Sequence, residues 1–408
     1  MWNLGNAGVC AALTVIVSTA HGQYASVTAM LDAVSVDSML TYVEEMSGEV
    51  PVDVGNGPEL IVSRHSDNAG NALAALYYQQ KLSSWGYSPT IQGFSAGSGE
   101  NILVEIPGLV HPGRKVILCG HYDAIPGGIA AAPAADDDGS GTAAVLEAAR
   151  VLAGLQFENT IVLALWDEEE QGKLGSIHYA GVAAANDDTI VGVVNMDAIA
   201  YDGNGDGLMR IHTKAVANSI AIKDTALLVN TAYGLGANIA INNPGAQYSD
   251  HASFWAESFG AILVIEDFDN DPNPYYHTPN DRVQYLDVPY YEQLAKLSMG
   301  TLAHLALPFS GGTAVSDISG VLQPGLDIWP VPTQGLLNLT LRLADPARGS
   351  VTVLDALGRP VKSAFQGNLL AGRNTFSIDL NELPPGGYLV QCDDDRGHRW
   401  TARAVVMP

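Results

Sequence analysis

Between residues 101 and 307 short, continuous apolar runs alternate with longer segments of helical spacing, without an internal sequence repeat. Asn101–Ile106, Lys115–Cys119, Thr160–Trp166, Thr189–Met196 and Ala261–Glu266 read as strands, and Gly141–Leu155, Gly175–Ala184, Val216–Tyr233 and Pro289–Leu307 as helices. A strand apolar on both sides must be covered on both faces, and helices between successive strands supply the cover. The pattern therefore predicts an α/β fold, a mixed central sheet sandwiched by helices. Two more helical patterns precede it. Val27–Met46 reads as one helix; Asn68–Trp85 reads as another, behind a Ser66-Asp67 cap candidate and ending near Gly86.

Past Pro308 the pattern changes. Residues 309–325, rich in Gly, Ser and Pro, read as a linker. Only short β-type runs follow: Leu336–Leu343, Gly349–Leu354, Thr375–Leu380, Tyr388–Cys392 and Trp400–Val406, separated by turn signals such as Pro384-Pro385-Gly386-Gly387. These predict a small all-β sandwich over 326–408. At the other end, the apolar run 8–19 is too short to span a bilayer, and Ala20-His21-Gly22 supplies the small residues of a cleavage site before Gln23. Residues 1–22 thus read as a signal peptide for an exported protein with no stable membrane insertion, leaving 23–308 as the α/β domain. Three cysteines, Cys10, Cys119 and Cys392, fall in different segments and form no disulfide framework.

Charge narrows the function. The 408 residues carry 44 Asp and Glu against 19 Lys and Arg, a net charge of −25. Residues 23–308 hold 35 of the acids and 11 of the bases, so nearly the whole excess lies in the α/β domain. A phosphate backbone needs a basic surface, which excludes nucleic acid as a partner.

The acids and histidines that carry chemistry stand where strands end. Gly120-His121-Tyr122-Asp123 follows the strand Lys115–Cys119; Asp136-Asp137-Asp138 leads into a helix; Asp167-Glu168-Glu169-Glu170 follows Thr160–Trp166; Asn195-Met196-Asp197 closes Thr189–Met196; and Tyr275-Tyr276-His277-Thr278-Pro279-Asn280-Asp281 precedes the last helix. In open α/β sheets that edge is where sites form. Singly, each string has an ordinary reading: a satisfied histidine, an acidic helix start, a solvated acidic run. Adjacent carboxylates repel one another, however, and ordering them beside a buried strand calls for a cation. One His, one Asp, one Glu, one Asp and one His suit two zinc ions, which take N and O ligands at roughly 2.0–2.2 Å. Such a pair, about 3.5–4 Å apart, lowers the pKa of a shared water and polarises a carbonyl, while a free carboxylate nearby moves the proton.

In this order and spacing the five strings, from about Arg64 to Ala306, resemble the co-catalytic di-zinc exopeptidases of the secreted bacterial leucyl aminopeptidase type (clan MH), relatives of glutamate carboxypeptidases and glutaminyl cyclases. The resemblance implies that His121 and Asp197 hold one zinc, Glu170 and His277 the other, and Asp137 bridges them. It implies Glu169 as general base and acid, Asp123 as the residue orienting His121, and a cis peptide at Asp137–Asp138. Tyr248-Ser249-Asp250-His251 matches a segment near the substrate, so Tyr248, Asp250, Glu266 and Tyr276 are candidates for the substrate pocket. His251 reads as structural or pocket-lining and not as a further ligand. Ala198, directly after Asp197, departs from the family's usual Met but changes none of the five ligands or the base. In the C-terminal region, Val353-Leu354-Asp355-Ala356-Leu357-Gly358-Arg359 and Leu383-Pro384-Pro385-Gly386-Gly387-Tyr388 resemble the sorting domains of type IX secretion cargo, implying secretion machinery as a partner; the opening Pro-Asn-Pro of that pattern is present only as Pro330-Val331-Pro332. The alternative is an accessory immunoglobulin-like domain.

The function expected is a secreted zinc aminopeptidase acting on peptide or protein N-termini. A carboxypeptidase and a glutaminyl cyclase share the fold. An acidic site favours a free α-amino group over a terminal carboxylate, and the cyclase does not need all five ligands. An inactive cell-surface binding protein is the alternative of another class, and it would be expected to lack a ligand or the base.

Overall fold

The computed structural model describes residues 25–94, 99–125 and 129–309, and in the C-terminal region 325–329, 333, 335–343, 345–355, 358–370 and 372–407. The signal-peptide reading, the linker over 310–324 and Pro330-Val331-Pro332 lie outside the described residues. The chain divides into two compact units, Met1–Ser310 and Gly311–Pro408.

The first unit opens with two helices where the spacing suggested one. α1 (Ala25–Asp32) and α2 (Val36–Met46) are separated at Ser35, whose hydroxyl accepts the Ser38 amide and starts a new helix. A two-strand hairpin, β1 (Val52–Asp53) and β2 (Pro58–Glu59), leads to α3 (Ala69–Ser84). The α3 cap is Asn68, which accepts the Gly70 amide, and not the Ser66-Asp67 pair expected. Strands β3 (Thr90–Gly93), β4 (Glu100–Ile106) and β5 (His111–His121) follow, then α4 (Gly139–Leu152), β6 (Asn159–Trp166), α5 (Leu174–Ala185) and β7 (Thr189–Met196). β8 (Leu208–His212), α6 (Ser219–Ala232), β9 (Asn238–Asn242), α7 (His251–Ala256), β10 (Ala261–Glu266) and α8 (Val288–Ala306) complete it. The short β3, β8 and β9 were not legible in the sequence. β3 and β9 are the two edge strands; neither contains a buried residue, and their apolar runs reach at most three residues.

Eight strands form one mixed sheet in the order β3-β4-β6-β5-β7-β10-β8-β9. The central β6, β5, β7 and β10 are parallel; β4 and β8 run against their inner neighbours. Alternation along each central strand serves two cores. Val116, Leu118, Ile161, Leu163, Leu165, Val194 and Met196 pack with residues of α2, α3, α4 and α8, while Ile117, Cys119, Val162, Ala164, Trp166 and Val193 pack with α5 and α7. Burial of each Val, Leu, Ile or Met side chain among them stabilises the fold by about 1.5–3 kcal/mol. Both sides being apolar is why these strands read as uninterrupted runs.

The connections set the location of the site. From β5 the chain passes through α4 to β6 on one side, then through α5 to β7 on the other, so the direction of winding reverses at β5. The carboxyl ends of strands that flank such a reversal leave a crevice. Register aligns them: His121 pairs with Trp166, and Cys119 with Asn195, which brings Asp197 level with His121.

The second unit is all-β. β11 (Gly325–Trp329), β12 (Leu336–Leu343) and β15 (Gly372–Asp379) form one antiparallel sheet; β14 (Pro360–Leu369), β13 (Ala347–Leu354), β16 (Gly386–Asp394) and β17 (Arg399–Val406) form the other. Leu337, Leu339 and Leu341 of the first and Val351, Val353, Val390 and Ala404 of the second share one core, as in a sandwich. Cys119 and Cys392 are both buried free thiols.

Candidate metal centre

His121 ends β5 and Asp197 follows β7, so backbone ladders place both. Asp137 comes from the turn before α4, Glu170 from the turn after β6, and His277 from the loop before α8. His121 Nε2 lies 3.2 Å from Asp137 Oδ1 and 3.7 Å from Asp197 Oδ1. His277 Nε2 lies 3.0 Å from Asp137 Oδ2 and 3.1 Å from Glu170 Oε1. The five residues thus form two three-residue groups that share Asp137. Two donors bound to one tetrahedral zinc are ~3.3 Å apart, given bonds of about 2.0–2.1 Å. Asp137 Oδ2, Glu170 Oε1 and His277 Nε2 are buried, meet at one point and have no hydrogen-bond partner. A protein interior rarely leaves such atoms unsatisfied, and a cation would satisfy all three. The donor set therefore fits zinc.

Electrostatics follow the same geometry. Burial opposes a charge on His121, yet hydrogen bonds it donates to Asp123, Asp137 and Asp197 hold its pKa well above the ordinary value. His277 is likewise penalised by burial but lifted to about 10 by Asp137 and Glu170. Asp137 is also desolvated, and the two imidazoles overcome that and lower its pKa. Glu170 rises to about 7, mainly through burial and then through the Asp137 charge. Glu169 belongs to neither group. Burial raises it to about 10, with His121 opposing and Asp250, Asp197 and Asp123 adding to the rise.

Neighbouring carboxylates hold the ligand loops by accepting backbone amides. Asp123 accepts the Glu169 and Glu170 amides at 2.9 and 3.1 Å. Its expected contact with His121 is the weaker one: Nδ1 lies 3.2 Å from the Asp123 carbonyl and 3.5 Å from its carboxylate. Asp123 therefore ties the turn that carries Glu169 and Glu170 to the end of β5. Asp138, after a cis Asp137–Asp138 peptide, accepts the amides of His121 (3.0 Å), Gly141 (2.8 Å) and Ala198 (3.3 Å). A Cβ at Gly120 would stand 2.5 Å from Asp138 Oδ2, and one at Gly141 2.3 Å from Oδ1, so this carboxylate requires glycine at both positions. Asp136 accepts the Ala200 amide and the Asn273 side chain, each at 3.0 Å. Ala134, Glu168, Ala198 and His277, all in or beside these turns, take positive φ values of 45°, 54°, 47° and 55°. Strained backbone of this kind gathers at functional sites.

The pocket candidates divide. Tyr276 is 38 % exposed, stacks on His277 at 3.7 Å and meets Phe268 edge-on at 5.0 Å, which places it on the rim. Tyr248 is 48 % exposed, with its hydroxyl 3.3 Å from His212 Nε2. Asp250 and Glu266 are fully buried, so neither presents a surface to a substrate, contrary to expectation. Glu266 accepts the Tyr201 amide beneath the site. His251 donates from Nε2 to the Ala246 carbonyl and packs on Trp255; it joins neither metal group. Arg64 carried no expectation of a role. Fully buried, it donates to the carbonyls of Met46, Tyr122, Pro133 and Ala134, binding the approach to the Asp triplet to the end of β5. A lone arginine in a polar stretch offered no signal for this.

The open α/β crevice thus holds two acidic–imidazole groups that share one carboxylate, an arrangement able to hold metal. Residues 101–302 match the profile of Peptidase family M28. Residues 327–407 match the Secretion system C-terminal sorting domain. A probable leucine aminopeptidase of Trichophyton verrucosum is 32 % identical over 222 residues, 51 % of this chain and 57 % of that protein. The chain thus spans little more than half the length of this relative. The Legionella pneumophila LapA aminopeptidase structure shares the fold with a TM-score of 0.59, 22 % identity and coverage of 69 % and 74 % of the two chains. A Porphyromonas gingivalis glutaminyl cyclase shares it with a TM-score of 0.54 and 18 % identity, covering 67 % of this chain and 99 % of the cyclase. No helix among the described residues is long and apolar enough to cross a membrane.

Proposed function

We propose that the chain is a secreted di-zinc aminopeptidase that hydrolyses the first peptide bond of peptides and proteins. One observation carries the reading: two ligand groups share Asp137 while a buried non-ligand carboxylate, Glu169, stands beside them. Two bound zinc ions would polarise the scissile carbonyl and acidify the attacking water. In this reading His121 and Asp197 hold one ion, Glu170 and His277 the other, and Asp137 both. Glu169 takes the proton of the attacking water and delivers it to the leaving amine. Asp123 keeps Glu169 aimed by fixing its amide. Tyr276 and Tyr248 line the approach. The acidic surroundings attract a protonated α-amino group and repel a terminal carboxylate, which favours the aminopeptidase over a carboxypeptidase.

The test is metal analysis of the purified mature chain, followed by assay on aminoacyl anilides. Two zinc per chain, release of the anilide and no turnover of an N-acetylated anilide are expected. Cyclisation of N-terminal glutamine with release of ammonia, without anilide hydrolysis, would make it a cyclase. Two ions with neither reaction would leave a binding protein.

The sorting-family match supports export through the C-terminal region, with the N-terminal segment as signal peptide. The domain reading assigns metal and catalysis to residues 23–308. A chain ending at Ser310 should then keep both zinc ions and its kcat/KM within about twofold. Zinc loss on that truncation, measured by metal analysis, would reject the division.

A further inference from the structure

We propose that Asp281 is a positioning residue that acts chiefly on one metal group, the group formed by Asp137, Glu170 and His277; the proposal rests on the two-metal reading above. Asp281 is 2 % exposed and stands four residues after His277 in the same loop. Its carboxylate accepts the Asp136 amide at 3.0 and 3.1 Å and the Asp137 amide at 3.1 Å. Its carbonyl also accepts the Ala135 amide at 3.3 Å. A short turn joins it to the histidine: its own amide donates to the Thr278 carbonyl at 3.2 Å, and Thr278 Oγ1 donates to the Tyr275 carbonyl at 2.7 Å. Asp281 therefore sets the spacing between His277 and Asp137, two ligands of one ion drawn from segments about 140 residues apart in sequence.

The two groups are supported differently. His121 sits in the ladder of β5, and Asp197 directly follows β7; Asp138 accepts the amides of His121 and of Ala198, next to Asp197. None of these bonds involves Asp281, which reaches this group only through the amide of the shared Asp137. His277 has no ladder. It lies in a loop, is 35 % exposed at its side chain and takes a positive φ of 55°. Glu170 is tied through Asp123 to β5, so its position does not depend on Asp281 either. The His277 loop has a second tie to the Asp triplet, from Asn273 Nδ2 to Asp136 Oδ2, which persists when the Asp281 carboxylate is removed. The chain should fold without that carboxylate, but with His277 loosely placed.

Residues that orient metal ligands typically affect affinity by about 10–100-fold. In Asp281→Ala one of two zinc ions should bind about 10–100-fold more weakly, while the other changes by less than about threefold. Asp281→Asn keeps one acceptor oxygen but turns an NH2 toward the amides, and should fall between Ala and wild type. The measurement is competitive titration of the full chain with Zn²⁺ against a chromophoric chelator, which resolves the two affinities, with thermal melting of the metal-free proteins alongside. In Asp281→Ala, kcat should drop at limiting zinc and recover in excess zinc, with KM little changed. Two ions held by Asp281→Ala with wild-type affinities would overturn the assignment while leaving the two-metal reading intact. Equal weakening of both ions together with a lowered melting temperature would reduce Asp281 to general structure and overturn it as well. A wild-type chain that binds fewer than two ions overturns the two-metal reading, and this assignment with it.

Discussion

Glu169→Gln should lower kcat on an aminoacyl anilide by about 10²–10⁴-fold, the range for loss of a general base, while the chain keeps its full zinc content. The side chain belongs to neither ligand group, and its amide is held by Asp123, so the turn and Glu170 keep their places. Gln matches Glu in shape but cannot accept the proton. Burial raises the Glu169 carboxyl to about 10, with neighbouring carboxylates adding to the rise, a setting that disfavours its charge. Cations in the adjacent groups act the other way, since nearby positive charge favours the ionised form. The base function of Glu169 thus depends on metal beside it, and kcat and zinc content must be measured on one sample. Unchanged turnover in the variant would remove Glu169 from the mechanism. Loss of zinc with turnover would instead make it a ligand.

The second large effect is expected at Asp137. Its two oxygens face different histidines, Oδ1 toward His121 and Oδ2 toward His277. Asp137→Ala removes a donor from both groups at once. It should weaken both zinc sites beyond the ~10–100-fold typical of residues that only orient a ligand, and abolish measurable hydrolysis. Asp197→Ala, in contrast, touches one group only and should weaken one ion. Titration with zinc separates the two patterns; an Asp137→Ala chain that still binds one ion at wild-type affinity would rule out the shared-carboxylate arrangement. Zinc must also displace protons from His121 and His277, both raised above their ordinary values by the carboxylates around them, so affinity should fall as pH falls.

Much of this centre was readable in the sequence because its signals are local. A continuous apolar run must be a buried strand in an α/β sheet, and the residues directly after it must stand at the sheet edge. His121, Glu169, Glu170 and Asp197 all occupy such places. The β-sandwich was readable from short runs and turn signals for the same reason. Elements that depend on distant partners were not. The edge strands β3 and β9 lack an apolar period, and α1 and α2 merge in the sequence because their apolar spacing carries on across Ser35. Glu266 ends a strand and Asp250 starts a helix, as the ligands and the Asp triplet do, yet packing closes over both.

By itself the sequence determined which kinds of side chain gather at the sheet edge: strand ends and apolar runs are adjacent in the chain. Tertiary structure decided what each carboxylate does. Asp136, Asp137 and Asp138 are chemically alike and consecutive, but Asp137 turns toward the two histidines, Asp138 back to the amides of His121 and Ala198, and Asp136 to Ala200 and Asn273. Asp281 acquires its place in the same way, through amides about 140 residues earlier. An acceptor's role is set by the donors it faces, and those donors come from strand register and winding order, which no single segment of the chain contains.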